Sequence, residues 1–329
     1  MLTRFKVYIV LLILSAVLDI NGSQVNNIVI IGGGPSGLAA AIYAGRAELN
    51  PLVIEGEPGQ LTKASLIENM PGVAPILGSD LADNMHNQAE QLGARFIKGP
   101  IVRVDFSSKP FTLWTKDNEI ILANSVIIAT GAKKTKLNCP GEDEYENKGV
   151  ALCATCDGPL FKDKNITLIG GDYSALREAL ILSKFTNNLT IINKREKLKG
   201  PSSLLKPVLK NSNIKVINNS IALEILGNEK EATGVRIINT KTDQESIIPS
   251  DAIFIATNWV PATDIFKNKI ELDSRNSIKV HNHTETSIPG IFAVGDATNN
   301  SDHQVPTACG SGYEAAMKAE KYLIRNNLF

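Results

Sequence analysis

Cys153 and Cys156 are followed at once by a carboxylate in the run Cys153-Ala154-Thr155-Cys156-Asp157-Gly158. This CxxC spacing serves either a metal or a redox disulfide. A zinc site would need two more thiolate or imidazole ligands at motif spacing. Cys139 and Cys309 stand alone, and His86, His281, His283 and His303 are scattered, none of them close to Cys153. A redox pair needs only its two sulfurs, a lowered thiol pKa and a proton carrier nearby. Asp157 is suited to that last task, and a CxxC just ahead of a βαβ pattern favours redox use. The expected catalytic set is therefore Cys153, Cys156 and Asp157, with no metal. Cys139 and Cys309 read as small buried packing residues, and the four histidines as structural or surface residues.

Two strand–glycine–helix openings would position such a pair. The first begins with the β-branched run Asn27–Ile31 and continues through Gly32-Gly33-Gly34-Pro35-Ser36-Gly37 into the helix-like Leu38–Tyr43. In this GxGxxG, Gly32 permits a tight turn, Gly34 lets the backbone approach a pyrophosphate, and Gly37 allows close helix–strand packing. The pyrophosphate would rest on the helix N-terminus, where unpaired N–H groups and the dipole favour an anion. A second strand, Leu52–Ile54, ends in Glu55, the usual place for an acid that binds ribose hydroxyls. Strand, glycines, helix and acid in register predict dinucleotide binding.

The second opening starts at Asn165. Strand Ile166–Ile169 leads to Gly170-Gly171-Asp172-Tyr173-Ser174-Ala175, a helical run from Leu176 to Lys184, and a strand from Leu189 to Ile192. Ala175 is tolerated at the third fingerprint position, but Asp172 replaces the middle glycine and adds bulk and negative charge where a pyrophosphate would lie. No ribose-binding acid follows the strand. Lys194, Arg195 and Lys199 follow instead, and they suit a 2′-phosphate and hence NADP over NAD. A weak nucleotide site is expected, built on Gly170, Ser174, Ala175 and these cations, with a solvated basic loop as the alternative. Further strands are expected at Val126–Gly131, Ile253–Asn258 and Gly290–Asp296, and a helix at Gly312–Ile324.

At 329 residues, two domains are expected. Lys+Arg and Asp+Glu both number 34, so there is no basic excess for binding a phosphate backbone, and no nucleic-acid partner is expected. With 43% hydrophobic residues the chain has ample core. Arg4 and Lys6 precede an uncharged run, Val7–Leu18, too short to span ~30 Å of hydrocarbon comfortably. Residues 1–23 therefore read as a signal peptide or N-terminal anchor of an exported body, with membrane contact only through residues 1–22. Two readings compete: a mis-assigned start or organelle leader, which would leave the body cytoplasmic or organellar, and an ordinary first element of the fold.

The stretches IGGGPSGLAAAIYAGRA, PGQLTKASLIENMPG, IIATGA, CATCDG and SIPGIFAVGDA followed by HQVPTACGSGYEAA run in order over roughly residues 26–325. Together they resemble the bacterial-type, low-molecular-weight thioredoxin reductases of the pyridine nucleotide-disulfide oxidoreductase family. The resemblance implies an α/β fold of two Rossmann-like three-layer dinucleotide-binding domains, the second inserted in the first. An FAD-binding domain would cover 24–136 and 263–329, and an NADP(H)-binding-like domain carrying the CxxC would cover 137–262. It further implies that Gly32, Gly34, Pro35, Ser36 and Gly37 take the FAD pyrophosphate and Glu55 the ribose. Gln60, Leu61, Asn69, Thr130 and Gly131 would line the flavin side. Gly295 and Asp296 would meet the ribitol, with His303, Gln304 and Val305 near the ring. Cys156 would face the flavin and Cys153 would attack a thioredoxin-like disulfide protein, in a homodimer. The family's second fingerprint keeps the central glycine that is Asp172 here, and its HRRxxxR reads Asn193-Lys194-Arg195-Glu196-Lys197-Leu198-Lys199. Lysine keeps the charge but loses the bidentate fork that suits phosphate.

The expected function is thus a thioredoxin-disulfide reductase running from NADPH through FAD and the dithiol. Its rivals are an FAD-dependent dithiol oxidase that forms disulfides, a reductase fed by another donor such as ferredoxin, and a non-catalytic flavin-binding protein.

Overall fold

The computed structural model describes residues 24–64 and 66–328. The leader expected over 1–23 lies outside the described residues. No helix among the described residues is long and apolar enough to cross a membrane. The strands in chain order are β1 (Val25–Ile31), β2 (Leu52–Glu55), β3 (Arg95–Lys98), β4 (Ile101–Asp105), β5 (Phe111–Thr115), β6 (Ile120–Ile128), β7 (Ala132–Lys134), β8 (Val150–Ala151), β9 (Asn165–Ile169), β10 (Asn188–Ile192), β11 (Ile214–Ile217), β12 (Ser220–Gly227), β13 (Ala232–Asn239), β14 (Glu245–Pro249), β15 (Ala252–Ile255), β16 (Trp259–Pro261) and β17 (Ile291–Ala293).

The chain divides into two units, one of residues up to Ala132 and from Pro261 onward, the other Lys133–Val260. The crossings thus fall at 132/133 and 260/261, where the sequence places them at 136/137 and 262/263. The physical reason is that the two crossing segments, β7 and β16, pair as a two-stranded ribbon, so the change of unit occurs inside hydrogen-bonded backbone.

In the first unit the sheet runs β3-β2-β1-β6-β5-β4, with β17 also pairing β6. β1 is parallel to β2 and β6. A parallel strand covered on both faces needs a continuous apolar run rather than an alternating one. Residues 28–31 of β1 supply it: Ile28 and Ile30 pack on one side of the sheet, Val29 and Ile31 on the other. The first side is covered by helices Pro35–Arg46 and Val305–Arg325, which meet through small residues such as Ala40, Ala44, Ala315 and Ala319. A Cβ on Gly312 would lie 2.0 Å from the Ser36 carbonyl oxygen, so only glycine lets these helices approach so closely. The last helix begins at Val305 and not at Gly312 as expected, because Pro306 occupies its first turn, where a missing N–H costs nothing.

The second unit repeats the theme with a five-stranded parallel sheet, β11-β10-β9-β15-β8. Helix Tyr173–Leu182 buries Leu176, Ala179 and Leu182 against one face of it, together with Leu168 and Phe254. Its start at Tyr173 corrects the expected Leu176, and Asp172 is its N-cap. The antiparallel strands β12-β13-β14 contribute Ile225, Val235 and Ile237 to the cluster on Ile169, Ile192, Ile253 and Ile255.

Candidate functional site

In the first unit, the loop after β1 is shaped by contacts that exclude side chains. Gly32 has φ +119°, and a Cβ there would lie 2.2 Å from the Ala129 carbonyl oxygen. A Cβ on Gly37 would lie 1.9 Å from the Gly32 carbonyl oxygen, whereas one on Gly34 would meet nothing within 4 Å. Gly34 therefore borders open space at the N-terminus of helix Pro35–Arg46, where a phosphate can approach backbone N–H groups. Gly33, a free position in the motif, is also constrained, since its Cβ would stand 2.5 Å from Glu55 Oε1. Tertiary packing thus folds the acid at the end of β2 over the glycine turn. His86, read from the sequence as structural or surface, belongs to the same corner: its Nε2 is 3.6 Å from Glu55 Oε2 and its ring stacks on Phe96 at 3.9 Å.

Four of the other residues expected around a flavin, Asn69, Gln304, His303 and Asp296, connect in series. Asn69 Nδ2 donates to Gln304 Oε1 at 2.8 Å, and Gln304 Nε2 donates to the His303 carbonyl at 3.0 Å. His303 Nδ1 lies 3.2 Å from Asp296 Oδ2, and the Ser301 hydroxyl donates to the other Asp296 oxygen. Burial pushes the Asp296 carboxyl up, but the His303 and Ser301 contacts outweigh it and leave it below its ordinary value. His303 is thus an organised partner of Asp296. Gly295 presses on Ser36, to whose Oγ a Cβ would come within 2.7 Å. Gln60 opens a short 3₁₀ turn in which Leu61 is buried, and the preceding Gly59 abuts Gly34. Gly131 follows β6 with φ +68°, and Val305 begins the last helix, with Pro35 and Ser36 opening the first. Thr130 Oγ1 is buried without a hydrogen-bond partner. An orphaned hydroxyl, an open glycine cradle, and the carboxylates of Glu55, folded on Gly33, and of Asp296, beside the Gly295 that meets Ser36, are features that fit FAD.

The second fingerprint reproduces the backbone of the first but not its surface. Gly170 has φ +152° and touches Ala256 and Ala175, as its motif position requires. Asp172 has φ −116°, so its backbone makes no demand for glycine. Its carboxylate makes no cap hydrogen bond, and its Oδ1 is buried without a partner at the helix N-terminus. A carboxylate thus stands at the anion-favouring end of the helix. Buried Asn193 takes the place Glu55 has in the first unit, its Oδ1 2.0 Å from where a Gly171 Cβ would stand. Its Nδ2 donates to the Arg195 carbonyl and to Asn218 Oδ1, and its Oδ1 accepts the Arg195 N–H. The Lys199 N–H donates to the Gly171 carbonyl at 2.8 Å. These bonds hold exposed Lys194, Arg195 and Lys199 beside the glycines, with Ser174 in the first turn of the helix.

Cys153 and Cys156 are joined by a disulfide, with Cα atoms 5.3 Å apart. Cys153 caps the short turn Ala154–Asp157, and its Sγ accepts the Cys156 N–H at 3.1 Å. That donor would stabilise a thiolate on Cys153 once the bond is reduced. Burial pushes the Asp157 carboxyl up to about 6, against a hydrogen bond from the Cys153 backbone and the Lys134 ammonium. Near neutral pH it can therefore both take and give a proton. Cys309 is buried, and burial pushes its thiol up to about 11. Cys139 is only half-buried, at the edge of the second unit's core, and not fully buried as expected.

The sequence profile described as "Pyridine nucleotide-disulphide oxidoreductase" matches residues 26–317. The chain belongs to this family. It is 39% identical over 312 residues to "Thioredoxin reductase 1" of Saccharomyces cerevisiae, covering 91% of this chain and 98% of that one. It is 38% identical over 302 residues to the "Thioredoxin reductase" of Listeria monocytogenes, covering 91% and 94%. Among solved structures, a thioredoxin reductase from Giardia duodenalis superposes with a TM-score of 0.87 at 36% identity, covering 91% of this chain and 98% of that one. One from Streptococcus pyogenes gives 0.86 at 35%, covering 91% and 98%. This oxidoreductase accordingly has two Rossmann-like dinucleotide-binding domains, with FAD and NADPH as the cofactors that family membership implies.

Proposed function

We propose that this chain is a thioredoxin-disulfide reductase that carries electrons from NADPH through FAD and the Cys153–Cys156 dithiol to a thioredoxin-like protein. The observation that carries the reading is the CxxC disulfide, in which one sulfur holds an N–H donor and a carboxyl tuned to about 6 stands beside it. The relatives named thioredoxin reductase support it over nearly the whole chain. FAD is assigned to the first unit, on Gly32, Gly34, Gly37, Glu55, Thr130 and Asp296, and NADPH to the second, on Gly170, Ser174, Ala175, Lys194, Arg195 and Lys199. When bound, FAD supplies acceptance of a hydride from NADPH and return of two electrons to the disulfide.

The protein's own residues do the thiol chemistry. The Cys153 thiolate attacks one sulfur of the partner disulfide, and the partner's other sulfur leaves and takes a proton. The Cys156 thiolate then attacks Cys153, breaking the mixed disulfide and releasing the second partner thiol. Asp157 holds and delivers the proton in this exchange. The overall change is NADPH, one proton and a partner disulfide giving NADP⁺ and a partner dithiol.

Anaerobic NADPH should bleach the yellow of the purified protein, and added thioredoxin disulfide should restore it. A protein that NADPH leaves oxidised, but that consumes O₂ with small dithiols, would instead be a dithiol oxidase; one bleached only by reduced ferredoxin would be a reductase with another donor.

Two further proposals rest on sequence alone. Residues 1–23 act as an export signal or anchor, and the body is a homodimer. N-terminal sequencing of the mature protein that begins at Met1 in a soluble cytoplasmic fraction would remove the first, and a monomeric mass by light scattering the second.

A further inference from the structure

Behind the cysteine turn, wholly within the second unit, lies a charged pair that the thiol chemistry above does not use. Lys134, the last residue of β7, has its side chain 5% exposed, and Glu178 on helix Tyr173–Leu182 has its own 14% exposed. Lys134 Nζ is 3.7 Å from Glu178 Oε1 and 5.4 Å from the centre of the Trp259 ring on β16. The same ammonium donates to the carbonyl of Leu152, the residue that leads into Cys153. Glu178 Oε2 is buried without a hydrogen-bond partner. Replacing a buried ion pair with apolar residues is often neutral or stabilising, so stability alone gives little reason to keep one here.

We infer that Lys134 is a positioning residue for the dithiol: it fixes the Leu152 carbonyl, and so the entry of the chain into Cys153, and it places a positive charge behind Cys153 and Asp157, with Glu178 as its counter-ion. The inference rests on the redox reading of Cys153 and Cys156.

The charged groups facing this pair are few. Helix Tyr173–Leu182 contributes Arg177 and Glu178, with Asp172 at its N-cap, and the cysteine turn contributes Asp157. Burial pulls the Lys134 ammonium down, opposed by Glu178 and Asp157. Burial pushes Glu178 up to about 7, opposed chiefly by Lys134. Lys134 likewise opposes the rise of Asp157. The sign follows. Without the ammonium, the anionic forms of Asp157 and of a Cys153 thiolate both lose a stabilising neighbour, so both groups hold their protons to higher pH.

The test is the pH dependence of iodoacetamide alkylation of Cys153 in the holoenzyme, reduced with a phosphine, for the parent, Lys134→Met, Lys134→Arg and the double variant Lys134→Met/Glu178→Leu. In Lys134→Met the alkylation midpoint should move up by roughly one pH unit, a loss of about tenfold in rate at neutral pH. Lys134→Arg, which keeps the charge, should stay within about twofold of the parent. The double variant leaves no buried charge unpaired; it should retain the parent's melting temperature and still shift upward, which keeps the test valid if Lys134→Met alone folds poorly. A folded double variant with the parent's midpoint would overturn the inference and assign the pair a purely structural role. Full disulfide reductase activity in a Cys153→Ser control would instead overturn the dithiol reading itself.

Discussion

Cys153→Ser should lower thioredoxin-disulfide reduction by on the order of 10³-fold or more while leaving the flavin spectrum close to that of the parent. A serine oxygen cannot form the mixed disulfide, and neither cysteine outside the pair can replace it: Cys309 is buried with its thiol pushed up to about 11, and Cys139 is pushed up by its own burial. Cys153 is assigned the attacking role because its sulfur accepts the Cys156 N–H at the head of the turn, where a developing thiolate is best held. Cys156→Ser should be equally inactive, since the exchange stops at the mixed disulfide. Its flavin absorption should differ from the parent's, because this sulfur is assigned to the ring side. Steady-state reduction of thioredoxin, read beside the visible spectrum, checks both variants. Full turnover in either one would remove the dithiol from the mechanism.

Asp172→Gly should tighten NADPH by ~1–3 kcal/mol, roughly one to two decades in KM. Asp172 ends the glycine turn with an unpaired, buried carboxylate oxygen at the start of a ten-residue helix. That is where a pyrophosphate would gain most from the helix N-terminus, and the carboxylate already holds the position. At an effective dielectric of ~20, like charges near 4 Å repel by about 4 kcal/mol, so even partial relief lies in the expected range. The substitution should cost little stability, because the aspartate makes no cap hydrogen bond and glycine is only a few tenths of a kcal/mol poorer at an N-cap. NADPH should remain preferred over NADH, since Lys194, Arg195 and Lys199 stay beside the glycines and suit a 2′-phosphate. Anaerobic flavin reduction by each nucleotide measures both effects. Unchanged KM and unchanged reduction by NADPH would mean that Asp172 does not meet the nucleotide.

The motifs of this protein were legible wherever their shape depends on neighbours along the chain. The fingerprints at Gly32–Gly37 and Gly170–Ala175, the acid Glu55 and the run Cys153–Asp157 are spacings of a few residues, and backbone sterics dictate what such spacings do. The β-branched run Asn27–Ile31 was likewise readable as a strand leading into the first glycine turn. The start of the last helix was harder, because Pro306 and Gly312 look like breakers until Pro306 is seen in a first turn and Gly312 against Ser36.

Contacts between residues far apart in sequence left no local mark. Gly33 and Gly171 sit at free motif positions, yet a Cβ there would stand 2.5 Å from Glu55 Oε1 or 2.0 Å from Asn193 Oδ1, because these side chains fold against them. His86 beside Glu55, and Lys134 joined to both Glu178 and Leu152, also come from different stretches of chain. Each is a polar or charged side chain that reads as surface in isolation. Burial then makes its partner decisive, since a charge removed from water must be matched by hydrogen bonds or an opposite charge that packing alone brings near.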